Sequence, residues 1–203
     1  PSVSALRARI MNILYLDTSQ NVLTAGVLKG AENFPRSVDA GKNGHTRIIL
    51  SEIDAALKEA GLDVSEIDAV AAVTGPGSFT GIRIGAATAS ALCRGTGAAK
   101  IAVTEFEIIA YNRAKAYAAV EAGRGNLYFA ECEGGVPVRT GFIPAEEREG
   151  AEREHTFLFS PSGGRADTLA RIAAEKAARG DFVTAFEPFY MRKSQAERNA
   201  NEV

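Results

Sequence analysis

Thr74-Gly75-Pro76-Gly77-Ser78-Phe79-Thr80-Gly81-Ile82-Arg83-Ile84-Gly85 is the stretch from which the fold is read. It follows Ala69-Val70-Ala71-Ala72-Val73, a continuously apolar run that suits a strand covered on both faces in a parallel or mixed sheet. It leads into a segment, about Gly81 to Arg94, that reads as a helix capped by Ser78 or Thr80 and stopped by Gly95 and Gly97. Such a junction aims backbone amides and the positive end of a helix dipole at one point, which is an anion site in physical terms. The glycines equally suit a tight turn and close helix packing, and the residues by themselves leave both readings open. The stretch is no Walker loop, because no Gly-Lys-Ser/Thr follows, and Gly75, Gly77 and Gly81 are spaced one residue too long for the dinucleotide fingerprint. Beyond it the helix carries Gly85, Ala86, Ala87, Ala89, Ser90 and Ala91, so little bulk that another backbone can approach closely.

Toward the N-terminus, Ile13 to Leu16, Val22 to Leu28 and Phe34 to Val38 read as three antiparallel strands. Between the first two lies the corner Asp17-Thr18-Ser19-Gln20-Asn21, whose carboxylate and hydroxyls either face a phosphate or its metal or bond their own backbone in a turn. From His45 to Ala60 the apolar residues Ile49, Ile53, Ala56, Leu57 and Ala60 form one helical stripe that Gly61 ends. Downstream, Ala99 to Val103 reads as a strand and Thr104 to about Arg113 as a helix, completing a β-β-β-α-β-α unit.

The pattern then repeats in reduced form. Ala116 to Glu121, Gly125 to Glu133 and Val136 to Ile143 read as strands, and the charged Pro144 to Glu154 as a surface loop. Phe157 to Phe159 reads as a short strand, Ala166 to Arg179 as a helix behind the loop Ser162-Gly163-Gly164, and Phe186 to Met191 as a last extended segment. The division expected is an extension or remnant at 1–10, a first lobe at 11–113, a reduced second lobe at 114–193 and a polar tail at 194–203.

With 46% hydrophobic and 24% charged residues, the 203-residue chain should build a proper core. The net charge of -2 leaves no basic half: residues 1–102 carry 10 Lys/Arg against 9 Asp/Glu, and 103–203 carry 13 against 16. That argues against a protein holding a polyanion unaided. Cys93 and Cys132 fit no metal-ligand spacing and read as reduced thiols, and no apolar run is long enough for a membrane span, so a cytoplasmic protein is expected. His45 and His155 lie in no HxxH or HxxxH spacing, no G-x-S-x-G occurs, and Glu105 and Glu107 would point to different sides of a helix. No catalytic or metal constellation is evident.

Asn12-Ile13-Leu14-Tyr15-Leu16-Asp17-Thr18-Ser19, His45-Thr46-Arg47 at the head of the amphipathic helix, and the 74–85 stretch closely resemble the TsaB (YeaZ) family, for which the GPGSFTG run followed by Ile or Val and RIG is highly specific. Glu121 to Tyr128 and Phe189-Tyr190-Met191-Arg192 look like further family segments, so the resemblance covers about residues 11 to 193. It implies an α/β protein of the actin-like ATPase class, ribonuclease H-like, with duplicated β-β-β-α-β-α lobes of which the second is reduced. It also implies a place in tRNA modification. TsaB pairs with its paralogue TsaD, which with the ATPase TsaE attaches a threonylcarbamoyl group to the adenosine beside the tRNA anticodon. TsaD holds a metal through a His-x-x-x-His pair whose matching positions here are Glu105 and Ile109, and isoleucine cannot ligate a metal.

The expectation is therefore a pseudo-enzyme that binds and activates TsaD as a heterodimer and meets TsaE and tRNA only through the complex, with a homodimer or a monomer both open when it is alone. No cofactor is expected to bind tightly; ATP is used by the complex, with at most weak ATP or ADP binding at Asp17, Thr18, Ser19, Gly75, Gly77 and Ser78. Ile49, Ile53, Ala87 and Ala91 are expected on or just beneath the partner interface. The alternatives are a nucleotide-binding enzyme of the actin-like class acting alone and, with less support, a protease acting on its partner.

Overall fold

The computed structural model describes residues 11–41 and 44–191. The expected N-terminal extension, the polar tail and Arg192 of the last family segment lie outside the described residues.

β1 (Asn12–Asp17) and β2 (Val22–Lys29), buried along most of their length, and the more exposed edge strand β3 (Glu32–Asp39) form a meander, each strand antiparallel to the next. The continuously apolar β4 (Ala69–Val73) pairs parallel to β1, and β5 (Ala99–Val103) parallel to β4. The resulting order β3-β2-β1-β4-β5 is the ribonuclease H-like arrangement of the actin-like class. The crossovers supply α1 (His45–Ala60), which ends on a left-handed Gly61, and α2 (Phe79–Thr96), capped by Ser78 and ended by a left-handed Gly97. Gly95 sits inside α2 and does not stop it, so the helix runs past the expected Arg94. Both helices cover one face of the sheet, where Ile49, Ile53, Leu57, Ala86 and Ala89 meet Leu14, Leu16 and Val70. Each such fully buried Leu or Ile contributes roughly 1.5–3 kcal/mol.

The second sheet joins β6 (Lys115–Glu121), β7 (Leu127–Glu133), β8 (Val136–Ile143) and the two-residue β9 (Phe157–Leu158) in the order β8-β7-β6-β9, repeating the first sheet without its fifth strand. Between the sheets lies α3 (Glu105–Ile109), all five residues of which are buried. Ile108 packs toward the first sheet, whereas Phe106 and Ile109 pack on Ala118, Ala130 and Cys132 of the second. The helix is shorter than the expected Thr104 to Arg113, because the chain turns at Ala110 and Asn112 takes a left-handed conformation with φ 59°.

Two further elements depart from expectation. Pro144 to Glu154 is not a loop: Ala145–Glu154 forms α4, a helix with no buried residue, braced by the i,i+4 pairs Arg148–Glu152 and Glu149–Arg153. Phe186 to Met191 makes no strand; it is tied down by Val183, which bridges to Lys100, and by the Phe189 amide, which donates to Thr74 O at 2.8 Å. The last helix, α5 (Arg165–Arg179), was expected with the second lobe but closes the other face of the first sheet, with Leu169, Ile172 and Ala173 against Ile13, Tyr15 and Ile101. No helix among the described residues is long and apolar enough to cross a membrane.

Candidate functional site

The parallel pairing of β1 and β4 brings their C-terminal ends together, so the Asp17-Thr18-Ser19 corner lies against the turn and first residues of α2. The contact is backbone to backbone. A Cβ on Gly77 would come within 2.5 Å of Ser19 O, on Gly81 within 1.9 Å of Thr18 O, and on Gly85 within 2.4 Å of Thr18 Oγ1. Thr18 Oγ1 donates to Gly81 O at 2.7 Å and the Ser78 amide to Ser19 O at 2.8 Å. The Gly81 amide donates to Ser78 Oγ at 3.2 Å and the Ile82 amide to Ser78 O at 2.8 Å. Gly75, at φ 114°, needs its missing side chain to make the turn. Close packing accounts for these glycines, and three amides of the junction, those of Ser78, Gly81 and Ile82, bond to the protein itself.

Asp17 is engaged likewise. Its Oδ1 accepts from the Ser19 amide at 2.8 Å and its Oδ2 from Arg165 Nε at 2.6 Å. The same guanidinium donates to Glu105 Oε1 at 2.8 Å and to Glu105 Oε2, and Ser19 Oγ donates to Glu105 Oε2 at 3.2 Å. Asp17 and Glu105 are each 1% exposed, so two buried carboxylates share one guanidinium, itself partly open to solvent. Burial pushes the Glu105 carboxyl above its ordinary range, against the pull of Arg165. Burial also works against the charge on Arg165, yet attraction to Asp17 and the bonds to Glu105 prevail and hold its pKa above the usual value.

The six residues expected at a phosphate site are therefore assembled in one place, but a nucleotide's phosphates and metal do not fit them as they stand. The fork of Arg165 already neutralises the carboxylates that a metal would need. The remaining cleft beside Ser19, Ser78, Glu105 and Phe159 is about 280 Å³, just under the roughly 300–1,000 Å³ of ligand pockets. Among the described residues no group of three or more His, Cys, Asp or Glu is placed to hold a metal.

The four residues expected at a partner interface separate. Ile49 and Ile53, 3% and 2% exposed, face their own sheet because they lie on the inner stripe of α1. Ala87 and Ala91 are exposed on the outer side of α2, and on α1 the outward apolar residue is Leu50, 62% exposed. The segment Phe189-Tyr190 closes over the start of α2: Tyr190 stacks on Phe79 at 4.9 Å, and Arg83 lies 3.9 Å over Phe79 while its Nε donates to Tyr190 Oη at 2.7 Å.

Arg165 is the functional residue the sequence reading passed over. Its signal is an anomaly: a cation in the first turn of a helix opposes the dipole and calls for a buried anionic partner.

Residues 39–139 match the family model described as TsaD: tRNA N6-adenosine threonylcarbamoyltransferase. The chain is 31% identical over 127 residues to the tRNA threonylcarbamoyladenosine biosynthesis protein TsaB of Haemophilus influenzae, covering 60% of this chain and 53% of that one. It is 34% identical over 93 residues to the protein of the same name from Escherichia coli K12, covering 43% of this chain and 40% of the other. The chain thus spans about half the length of the curated relatives it matches. Among solved structures, YeaZ from Pseudomonas aeruginosa superposes with a TM-score of 0.73 over 89% of this chain and 100% of that one at 23% identity, a likeness of fold. The glycine-rich junction, the Asp17 corner and these relatives agree in making the chain similar to the TsaB (YeaZ) family.

Proposed function

We propose that this chain is a non-catalytic subunit that binds and activates TsaD in threonylcarbamoylation of the adenosine next to the tRNA anticodon. Arg165 carries the reading. Where a nucleotide-using relative needs room for phosphate and metal, this chain has placed its own cation between Asp17 and Glu105. The relatives' names supply the pathway, tRNA threonylcarbamoyladenosine biosynthesis.

What is left to such a chain is binding. The outer sides of α1 and α2 offer Leu50 beside small residues, Ala87 and Ala91, which allow the equivalent helices of a paralogue to approach closely across a pseudo-two-fold axis. In this reading TsaE acts through the complex, which uses the ATP. The tRNA is held only by the complex, since a net charge of -2 offers little to a polyanion. The same helices pair two copies when TsaD is absent, and the setting is the cytoplasm.

Co-purification with TsaD from the same organism, followed by a tRNA modification assay with and without this chain, tests the proposal. Modification should require the chain, and Ala87→Trp should keep the wild-type melting temperature while no longer co-eluting with TsaD. Co-elution of that variant, or equal modification without the chain, would overturn the reading. Calorimetry with ATP and Mg²⁺ on the isolated protein separates it from a self-sufficient nucleotide enzyme: no saturable heat is expected.

A further inference from the structure

Glu107 of α3 turns away from Arg165 and lines a second cavity, of about 480 Å³, bounded by the 112–114 turn, the Gly134-Gly135 turn between β7 and β8, and the last turns of α5. The carboxylates of its wall are all engaged. Glu107 pairs with Lys176 at 2.6 Å and accepts from Thr104, Asp181 pairs with Arg179 at 2.9 Å, and Glu175 accepts from the Tyr111 hydroxyl at 2.6 Å. Two of the last carbonyls of α5 are engaged too, Ala177 O by the Gly180 amide and Lys176 O by the Asp181 amide.

Arg113 stands apart. It lines the cavity, its buried Nε has no hydrogen-bond partner, and among the described residues no carboxylate pairs with it. Its root is fixed by the fold: the Arg113 amide donates to Ala110 O at 3.1 Å, and Ala114 O accepts from the Gly134 amide at 2.9 Å. Because Nε is closed off, the edge open to a ligand is the pair of terminal nitrogens, which can meet a carboxylate or phosphate with two parallel hydrogen bonds. Ile172 and Val136 add apolar wall, and the volume lies within the range of small-molecule pockets.

We propose that this cavity binds a small molecule carrying a carboxylate or a phosphate on a partly apolar body, with Arg113 taking the anion. The site uses none of the residues of the Asp17 corner and does not depend on the role toward TsaD.

The test titrates the isotope-labelled full chain with AMP as the phosphate probe and benzoate as the carboxylate probe, following backbone amide signals. At least one probe should saturate below about 10 mM, a weak-ligand threshold, and shift the amides of Arg113, Gly134 and Gly135. Which one saturates identifies the anion. Arg113→Met should weaken binding roughly tenfold or more, and Arg113→Lys, which keeps the charge but not the fork, by less. Saturation by neither probe, shifts centred on Asp17 to Ser19, or wild-type affinity in Arg113→Met would overturn the proposal. Should Arg113→Met fail to fold, the wild-type shift map decides alone.

Discussion

Helices α2 and α5 each begin where there is no slack and end where there is room. α2 starts with Gly81 pressed on Thr18 O and finishes at Gly95 and Gly97, around which a Cβ would meet nothing within 4 Å. α5 starts with Arg165 locked between two carboxylates, Asp17 and Glu105, and finishes beside a cavity, with Lys176 paired to one carboxylate, Glu107, and a backbone carbonyl. The contrast teaches where this fold is specified. The starts assemble the Asp17 corner out of strands and helices far apart in sequence, while the ends border open space and the second cavity.

The largest way to break the comparison is Arg165→Ala. It strands two buried carboxylates, and removing one partner of a buried pair costs about 3–5 kcal/mol, which urea unfolding would measure. Adding Asp17→Asn and Glu105→Gln to that variant should recover much of the loss, because the charges that needed Arg165 are gone. The loss should also depend on pH. Glu105 is raised on folding, so its contribution is present below its unfolded value and is lost as pH rises through the folded one. Without Arg165 the folded value climbs further, so the gap between wild type and variant should be smallest near about pH 4 and widen toward neutrality. A gap that stays flat would detach the effect from Glu105.

Gly81→Ala should come next, at about 1–3 kcal/mol of overpacking, since its new methyl group has backbone rather than a flexible side chain in its way. Lys176→Met should cost less, roughly 0.5–1.5 kcal/mol, because Glu107 keeps its bonds from the Thr104 amide and hydroxyl. If it cost as much as Arg165→Ala, the two ends of α5 would not differ as described. At the far end of α2 the sign should reverse. Gly95→Ala is a helix-interior exchange into open space and should raise stability by about 0.5–1 kcal/mol.

Local spacing is what made the starts readable. The apolar β4 run, the glycines after it and the stripe of α1 each lie within one continuous segment, and they gave the sheet-and-helix order of the first lobe. The second lobe's strands were readable for the same reason. The charged α4 has no apolar period to announce it, being held by side-chain pairs on its own surface. The network at the corner joins residues 60 and 148 positions apart, beyond the reach of any spacing rule. The outer and inner sides of α1 were merged: Ile49 and Ile53 belong to the core, and Leu50 between them looks outward.

The five residues of α3 have a mechanical meaning. They lie like a rivet between the sheets, with Glu105 fastened to Arg165 at the start of α5 and Glu107 to Lys176 near its end. Shearing one half of the molecule past the other would break both fastenings and pull apolar side chains out of two cores at once. In the proposed complex, a partner docking on the outer helices would therefore meet a surface already set, with little of the binding free energy spent on arranging it.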